Sequence, residues 1–347
     1  MKVVIITDTH FGFKKGNKIF HEYFQKFYDN VFHKYLIDNK IQTVIHLGDS
    51  FDNRKGIDYW SLKWAKDNFY NTLETLGITL YSIVGNHDIY YRNSNGLNSL
   101  EYLLEEYNNV IPISSPTEVN IGGLDILFLP WINQENQETT FRMIKNTSSK
   151  CVMGHLELQG FKVNHHIVME HGLDGKIFDK FDRVYSGHYH TRSNDGRVFY
   201  LGNPYQMFWT DIDDTRGFTV FDTNTLEHTH INNPYSIFKV INYDEDNLTN
   251  EFAEYTDCVV KVVVKNKTDQ KKYEKYIDEL IKSNPYELKV IENCSITRNF
   301  EVEDNLTESE DTLSLLKKYV DESEIGLNKN TIKHMINSIY QESYQFQ

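Results

Sequence analysis

The sequence predicts an α/β fold whose sheets carry polar groups at the carboxyl ends of their strands. Two observations lead there. Runs rich in β-branched residues, at 2–7, 43–47 and 78–84, alternate with stretches of helical periodicity, as parallel strands covered by helices require. Each run stops at a turn bearing acids, an asparagine or histidines, and a strand-glycine-polar arrangement returns at Gly154, Gly187 and Gly202.

In chain order, the first strand ends in Asp8-Thr9-His10 and enters Phe11-Gly12-Phe13-Lys14-Lys15, a loop with a basic tip. Ile19, Tyr23, Phe24, Phe27, Val31, Tyr35 and Leu36 then recur at helical spacing, so residues 18–38 form a helix with an aromatic core face. The next strand presents Gly48-Asp49-Ser50-Phe51-Asp52, two carboxylates three apart. A helix over 58–76 stops at Gly77, and strand 78–84 delivers Gly85-Asn86-His87-Asp88. A helix near 97–107 and a hairpin turning at Gly122-Gly123 lead to Leu129-Pro130-Trp131, whose tryptophan is either core or an aromatic pocket wall. Later strands end in Gly154-His155, Gly187-His188-Tyr189-His190 and Gly202-Asn203-Pro204, and a hairpin closes around Asp222-Thr223-Asn224.

These elements make residues 1–233 one domain. Strands at 238–243, 259–264 and 288–291 with a helix at 270–281 predict a small α+β domain over 235–300. Residues 301–311 are acidic and poor in large apolar side chains, as a linker would be. Residues 312–347 read as a pair of short amphipathic helices, with Leu313, Leu316 and Val320 on one and Ile332, Met335, Ile336 and Ile339 on the other. Such a pair buries its stripes poorly alone and is expected to dock on a partner or back on its own chain.

With 36 Lys and Arg against 50 Asp and Glu the formal charge is −14, which argues against broad electrostatic adhesion to nucleic acid or anionic lipid. Cations held by clustered carboxylates would reverse the field locally. Cys151, Cys258 and Cys294 lie far apart, so neither a disulfide framework nor a zinc ribbon is indicated. The chain opens directly on a strand and has no apolar run of membrane-spanning length, so a cytoplasmic protein without membrane contact is expected.

The strand ends together offer Asp8, His10, Asp49, Asp52, Asn86, His87, His155, His188 and His190. Mixed carboxylate, carboxamide and imidazole groups suit manganese, iron or zinc better than calcium, and their number fits two ions sharing an aspartate. His46 reads as packed within its strand. His165, His166, His171, His228 and His230 lack the strand-end glycine and read as surface residues.

Asp-x-His, Gly-Asp-x-x-Asp, Gly-Asn-His-Asp, Gly-His and Gly-His-x-His, in this order, resemble the calcineurin-type metallophosphoesterase superfamily. With Leu129-Pro130-Trp131, Gly154-His155-Leu156-Glu157, the small following domain and the terminal helices, the chain is similar to the SbcD-type DNA repair nucleases, most of all those of phages. The likeness is carried by residues 1 to about 232, and beyond 235 by layout. It implies a two-sheet sandwich flanked by helices, a capping domain that binds DNA, and a DNA exonuclease and endonuclease working in recombination, repair and replication, in the host cytoplasm if phage-encoded.

The resemblance further implies that Asp8, His10, Asp49 and His190 hold one divalent ion and Asp49, Asn86, His155 and His188 the other, manganese first and magnesium as the alternative. His87 would stabilise the transition state or protonate the leaving 3′ oxygen, oriented by Asp52. Lys14, Lys15, Arg54, Lys55, Arg92 and Arg192 could grip phosphates. The implied partners are DNA and an SMC-like coiled-coil ATPase held by residues 312–347, with the nuclease a homodimer inside a heterotetramer. The competing readings are a phosphatase or small-molecule phosphodiesterase of the same superfamily and an inactive scaffold. Asp52-Asn53-Arg54 lacks the Asp-Arg-Gly run of protein phosphatases, and no expected ligand position is lost.

Overall fold

A computed structural model describes residues 1–164, 167–248 and 251–292, with residues 320, 329, 332 and 333 besides. Its strands in chain order are β1 Lys2–Ile6, β2 Thr43–His46, β3 Thr79–Ile83, β4 Val110–Ile113, β5 Thr117–Ile121, β6 Leu124–Leu129, β7 Cys151–His155, β8 Arg183–Gly187, β9 Ser193–Asn194, β10 Val198–Tyr200, β11 Gly217–Asp222 and β12 His228–Asn232. They build two six-stranded mixed sheets, β12-β11-β1-β2-β3-β4 and β5-β6-β7-β8-β10-β9. Strands β1 to β4 are parallel, as are β6, β7, β8 and β10, so the carboxyl ends of both central sets carry the loops bearing the acids and histidines. Both expected hairpins are present, β5 with β6 and β11 with β12.

The sheets face each other. Val3, Ile5, Ile45, Leu47 and Ile83 from one pack against Ile126, Phe128, Met153 and Tyr185 from the other, forming a largely apolar middle layer. The outer face of the first sheet is covered by the two aromatic-rich helical segments, whose Phe24, Phe27, Tyr28, Phe69 and Tyr70 are fully buried together with Tyr205 from the loop after β10. Both segments hold a π turn absent from the sequence reading, Tyr28–Phe32 between Lys18–Phe27 and His33–Asp38, and Lys66–Tyr70 between Tyr59–Ala65 and Asn71–Thr75. A π turn inserts an extra residue, and here it keeps adjacent aromatic pairs such as Phe69 and Tyr70 both turned inward.

The third sheet, β13 Phe238–Asp244, β14 Val259–Asn266 and β15 Glu287–Ile291, is all-parallel and carries helix Gln270–Lys282, capped by Asp269. It seats on the first domain. Phe238 and Val259 enter the helix-side core, the Gln206 side chain accepts from the N–H groups of Ile237 and Phe238 at 3.1 Å each, and Tyr23 Oη donates to the Tyr235 carbonyl at 3.0 Å. Residues Met1–Glu292 accordingly form one compact unit and Asn293–Gln347 a second. In the second, residues 320, 329, 332 and 333 are helical and Val320 is buried; the expected acidic linker and most of the expected helical pair lie outside the described residues. No helix among the described residues is long and apolar enough to cross a membrane.

Candidate metal centre

The strand ends converge, and after β1, β2 and β8 the chain turns left-handed as it leaves the strand. Asp8, His10, Asp49 and His188 have φ of 53°, 46°, 56° and 86°, a region that L side chains avoid at a cost of about 1–2 kcal/mol each. Main-chain bonds hold the turns in register across β1 and β2, Asp8 N–H to the Gly48 carbonyl at 3.0 Å and His10 N–H to the Asp49 carbonyl at 3.1 Å. The preceding glycines admit the acids. A Cβ on Gly85 would overlap the Asp49 carboxylate, and one on Gly187 would meet the Thr7 hydroxyl and, at 2.9 Å, Asp8 Oδ2.

Two groups of side chains result. Asp8, His10 and His190 bring one ligand atom each within 4.8 Å of the others, and Asp49, His155 and His188 do the same. In the first, His10 Nε2 and His190 Nε2 face each other at 3.2 Å, and His190 Nε2 lies 3.9 Å from Asp8 Oδ1. Asp49 stands between the groups, its Oδ2 3.9 Å from His10 Nε2 and 3.2 Å from His155 Nε2. Asn86 Oδ1 completes the second group, 2.9 Å from His155 Nε2 and 3.0 Å from His188 Nδ1. Asp8, His10, Asp49, Asn86, His155 and His188 are all buried, and His190 is half-buried.

The donor set fits a cation. His155 Nδ1 donates to the Leu47 carbonyl at 2.7 Å, which leaves its Nε2 lone pair facing two acceptors, Asn86 Oδ1 and Asp49 Oδ2. Three acceptors around one point need a positive charge between them. Without a metal a proton supplies it: burial pushes His155 down, but the Asp49 carboxylate overrides this and raises it to about 9. Burial likewise pushes Asp49 up, and the facing His155 and His87 imidazoles outweigh that and hold it well below the usual carboxylate range. Burial raises Asp8 and lowers His190 well below its usual value and His188 to about 3, so both histidines keep neutral, ligand-ready rings. Buried His188 Nε2 and His190 Nδ1 have no hydrogen-bond partner among the described residues.

His87 lies beside these groups, its ring 4.7 Å from that of His10 and nearly perpendicular to it. Its N–H donates to Asp49 Oδ1 at 2.8 Å and its Nδ1 donates to the carbonyl of Asp52 at 2.6 Å. The main-chain carbonyl of residue 52 thus holds His87, and its carboxylate lies 3.3 Å from His10 Nδ1. His10, Asp52 and His87 form a third group within 4.8 Å of one another.

Two contributors stand outside the set picked from sequence. Asp88, fully buried, accepts from the N–H groups of Asp49, Ser50, Phe51 and Gly85 and from Ser99 Oγ, and burial together with Asp49 raises it to about 6. It closes the Gly-Asn-His-Asp run, which was the available signal. Trp131 is half-buried, its ring 5.0 Å from that of His188 and 6.0 Å from that of His155, so it is a wall of the site.

Of the basic residues, Lys14, Lys15, Lys55 and Arg92 are exposed while Arg54 and Arg192 are half-buried. Lys14 also lies 4.8 Å above the Phe20 ring. His46 is packed as expected: Thr9 Oγ1 lies 3.0 Å from its Nε2, and burial lowers it to about 3. His228 and His230 are half-buried, where surface positions were expected, because β12 lays His228 on Phe199 and against Tyr185 Oη. His165 and His166 lie outside the described residues.

Over 254 residues the chain is 35% identical to exonuclease subunit 1 of Enterobacteria phage T4, covering 72% of this chain and 73% of that protein. A solved archaeal phosphodiesterase matches 67% of this chain and 99% of its own at 17% identity and a TM-score of 0.35. The calcineurin-like phosphoesterase family matches residues 1–192, the segment that supplies every member of the clusters above, and the chain belongs to that family.

Proposed function

We propose that the protein is a metal-dependent DNA nuclease, cutting phosphodiester bonds at DNA ends as exonuclease and endonuclease, and that it is the nuclease subunit of a complex with an SMC-like ATPase in recombination, repair and replication. The observation that carries the reading is the pair of donor groups meeting at Asp49. The name of the T4 relative, an exonuclease subunit, supports both the substrate and the existence of a partner.

In this reading Asp8, His10, Asp49 and His190 hold one divalent ion and Asp49, Asn86, His155 and His188 the other, manganese or magnesium. When bound, the ions polarise the phosphoryl oxygens and acidify the attacking water. The chain does the rest. Thr7 Oγ1 donates to Asp8 Oδ2 at 2.6 Å and the His188 N–H to Asp8 Oδ1 at 3.1 Å, so the carboxylate keeps its aim. His87, with Nδ1 pinned by the Asp52 carbonyl, stabilises the transition state or gives a proton to the leaving 3′ oxygen. Asp52 also orients His10. Lys14, Lys15, Arg54, Lys55, Arg92 and Arg192 grip phosphates, and the domain over 235–300 caps the site and contacts DNA. With an acidic chain that grip is weak and salt-sensitive, and the ATPase, bound through residues 312–347 of each copy in a nuclease homodimer, supplies the rest.

The test compares duplex DNA, an aryl phosphodiester and a phosphopeptide, each with manganese and with chelator. Manganese-dependent cutting of DNA supports the reading. Release of phosphate from the peptide without DNA cleavage would overturn it in favour of a phosphatase.

A further inference from the structure

A cavity of about 190 Å³ adjoins the metal centre, and the mechanism above does not use it. Trp131, Gln137, Phe141, His155, Glu157 and Leu173 line it. It shares His155 with the donor set, and Trp131 forms a wall of both the cavity and the site. Whatever fills it lies next to the phosphate that the cluster is built to hold.

The volume is below the roughly 300–1,000 Å³ of pockets for drug-sized ligands and suits a single planar ring system. Trp131 and Phe141 offer aromatic surface, and Phe141 is 37% exposed although it has a cavity beside it. Gln137 and Glu157 offer hydrogen-bonding groups. An aliphatic ligand would leave those groups unpaired. A second phosphate would meet the Glu157 carboxyl with no lysine or arginine among the described residues of the lining. A heteroaromatic ring with donors and acceptors on its edge satisfies both parts, as flipped or unstacked bases do elsewhere by stacking on aromatic side chains.

We propose that this cavity is a nucleobase subsite, which takes the base of the nucleotide whose phosphate lies at Asp49 and His155. The proposal rests on the nuclease reading for its substrate. The enzyme then handles an unpaired terminal nucleotide, drawing one base out of the stack before the adjoining phosphodiester is cut.

The experiment is calorimetric titration of the full manganese-loaded chain with deoxyadenosine and deoxythymidine 5′-monophosphates, against deoxyribose 5-phosphate as the probe lacking a base. The nucleotides are expected to bind about tenfold or more tightly than the sugar phosphate. Phe141→Ala should bring the three within about threefold and Phe141→Tyr should restore the difference. Equal binding of nucleotide and sugar phosphate by the unaltered protein, or an undiminished preference in Phe141→Ala, overturns the subsite. The two readings part cleanly. Failure to cut DNA with the nucleotide preference intact removes the nuclease reading and leaves the subsite; DNA cutting without the preference does the reverse.

Discussion

The Asp88 carboxylate accepts the main-chain N–H of Asp49 at 2.9 Å, and with the same two oxygens it takes those of Ser50, Phe51 and Gly85. One buried acid therefore staples the end of β2 to the end of β3 and fixes where the bridging aspartate points. Asp88→Asn replaces one acceptor oxygen by an NH₂ that faces N–H donors. Expected are a loss of about 2–4 kcal/mol of stability and at least about tenfold weaker manganese binding. Thermal unfolding and a metal titration check this; unchanged values for both would remove the stapling role.

His87→Ala tests the division between ion binding and proton transfer. The imidazole lies at the edge of the donor groups, its Nδ1 committed to the Asp52 carbonyl. Expected is retention of both ions with cleavage reduced about 10²–10⁴-fold, the range of a lost general acid. Elemental analysis of the purified variant decides, because depleted metal would make His87 a ligand beside His10 and Asp52.

Stability should fall on the acid side through His33, a group remote from the metal centre. Burial between Tyr28 and Phe32 lowers this imidazole from 6.5 to about 4, so the folded state binds its proton more weakly than the unfolded chain does. The sign follows: nothing is lost above pH 6.5, and stability declines as pH falls from there to about 4. The full loss is at most about 3 kcal/mol. His33→Phe, which suits the aromatic surroundings, should flatten that limb in denaturant midpoints measured across the interval, and an unaltered slope would assign the loss to other groups.

Removing residues 310–347 should spare basal manganese-dependent cleavage and abolish binding of the ATPase partner. The reason is compositional, an amphipathic pair beyond an acidic stretch. Co-purification of the truncated chain with that partner at normal yield would refute the assignment.

The aromatic helix over residues 18–38 was legible because Ile19, Tyr23, Phe24 and Phe27 mark one face, and the strand ends were legible because each breaks at a glycine or acid after a β-branched run. The third sheet came out within a residue or two of expectation, its elements being strongly periodic. The π turns did not, since an inserted residue leaves no mark in a pattern that is apolar on both sides of it.

Sequence alone thus determined which residues reach the rim of the sheets. Tertiary structure decided what each does there. Asp88 points away from the site into the Asp49 turn, Asp52 lends its carbonyl to His87 and its carboxylate to His10, and Trp131 stands against His188. The physical reason is that a side chain leaving a strand end is aimed by left-handed turns and by partners 35 to 180 positions distant, such as the Asp52 carbonyl for His87 and the Asp8 carboxylate for the His188 N–H. Local pattern places a residue, and only the assembled loops select its direction.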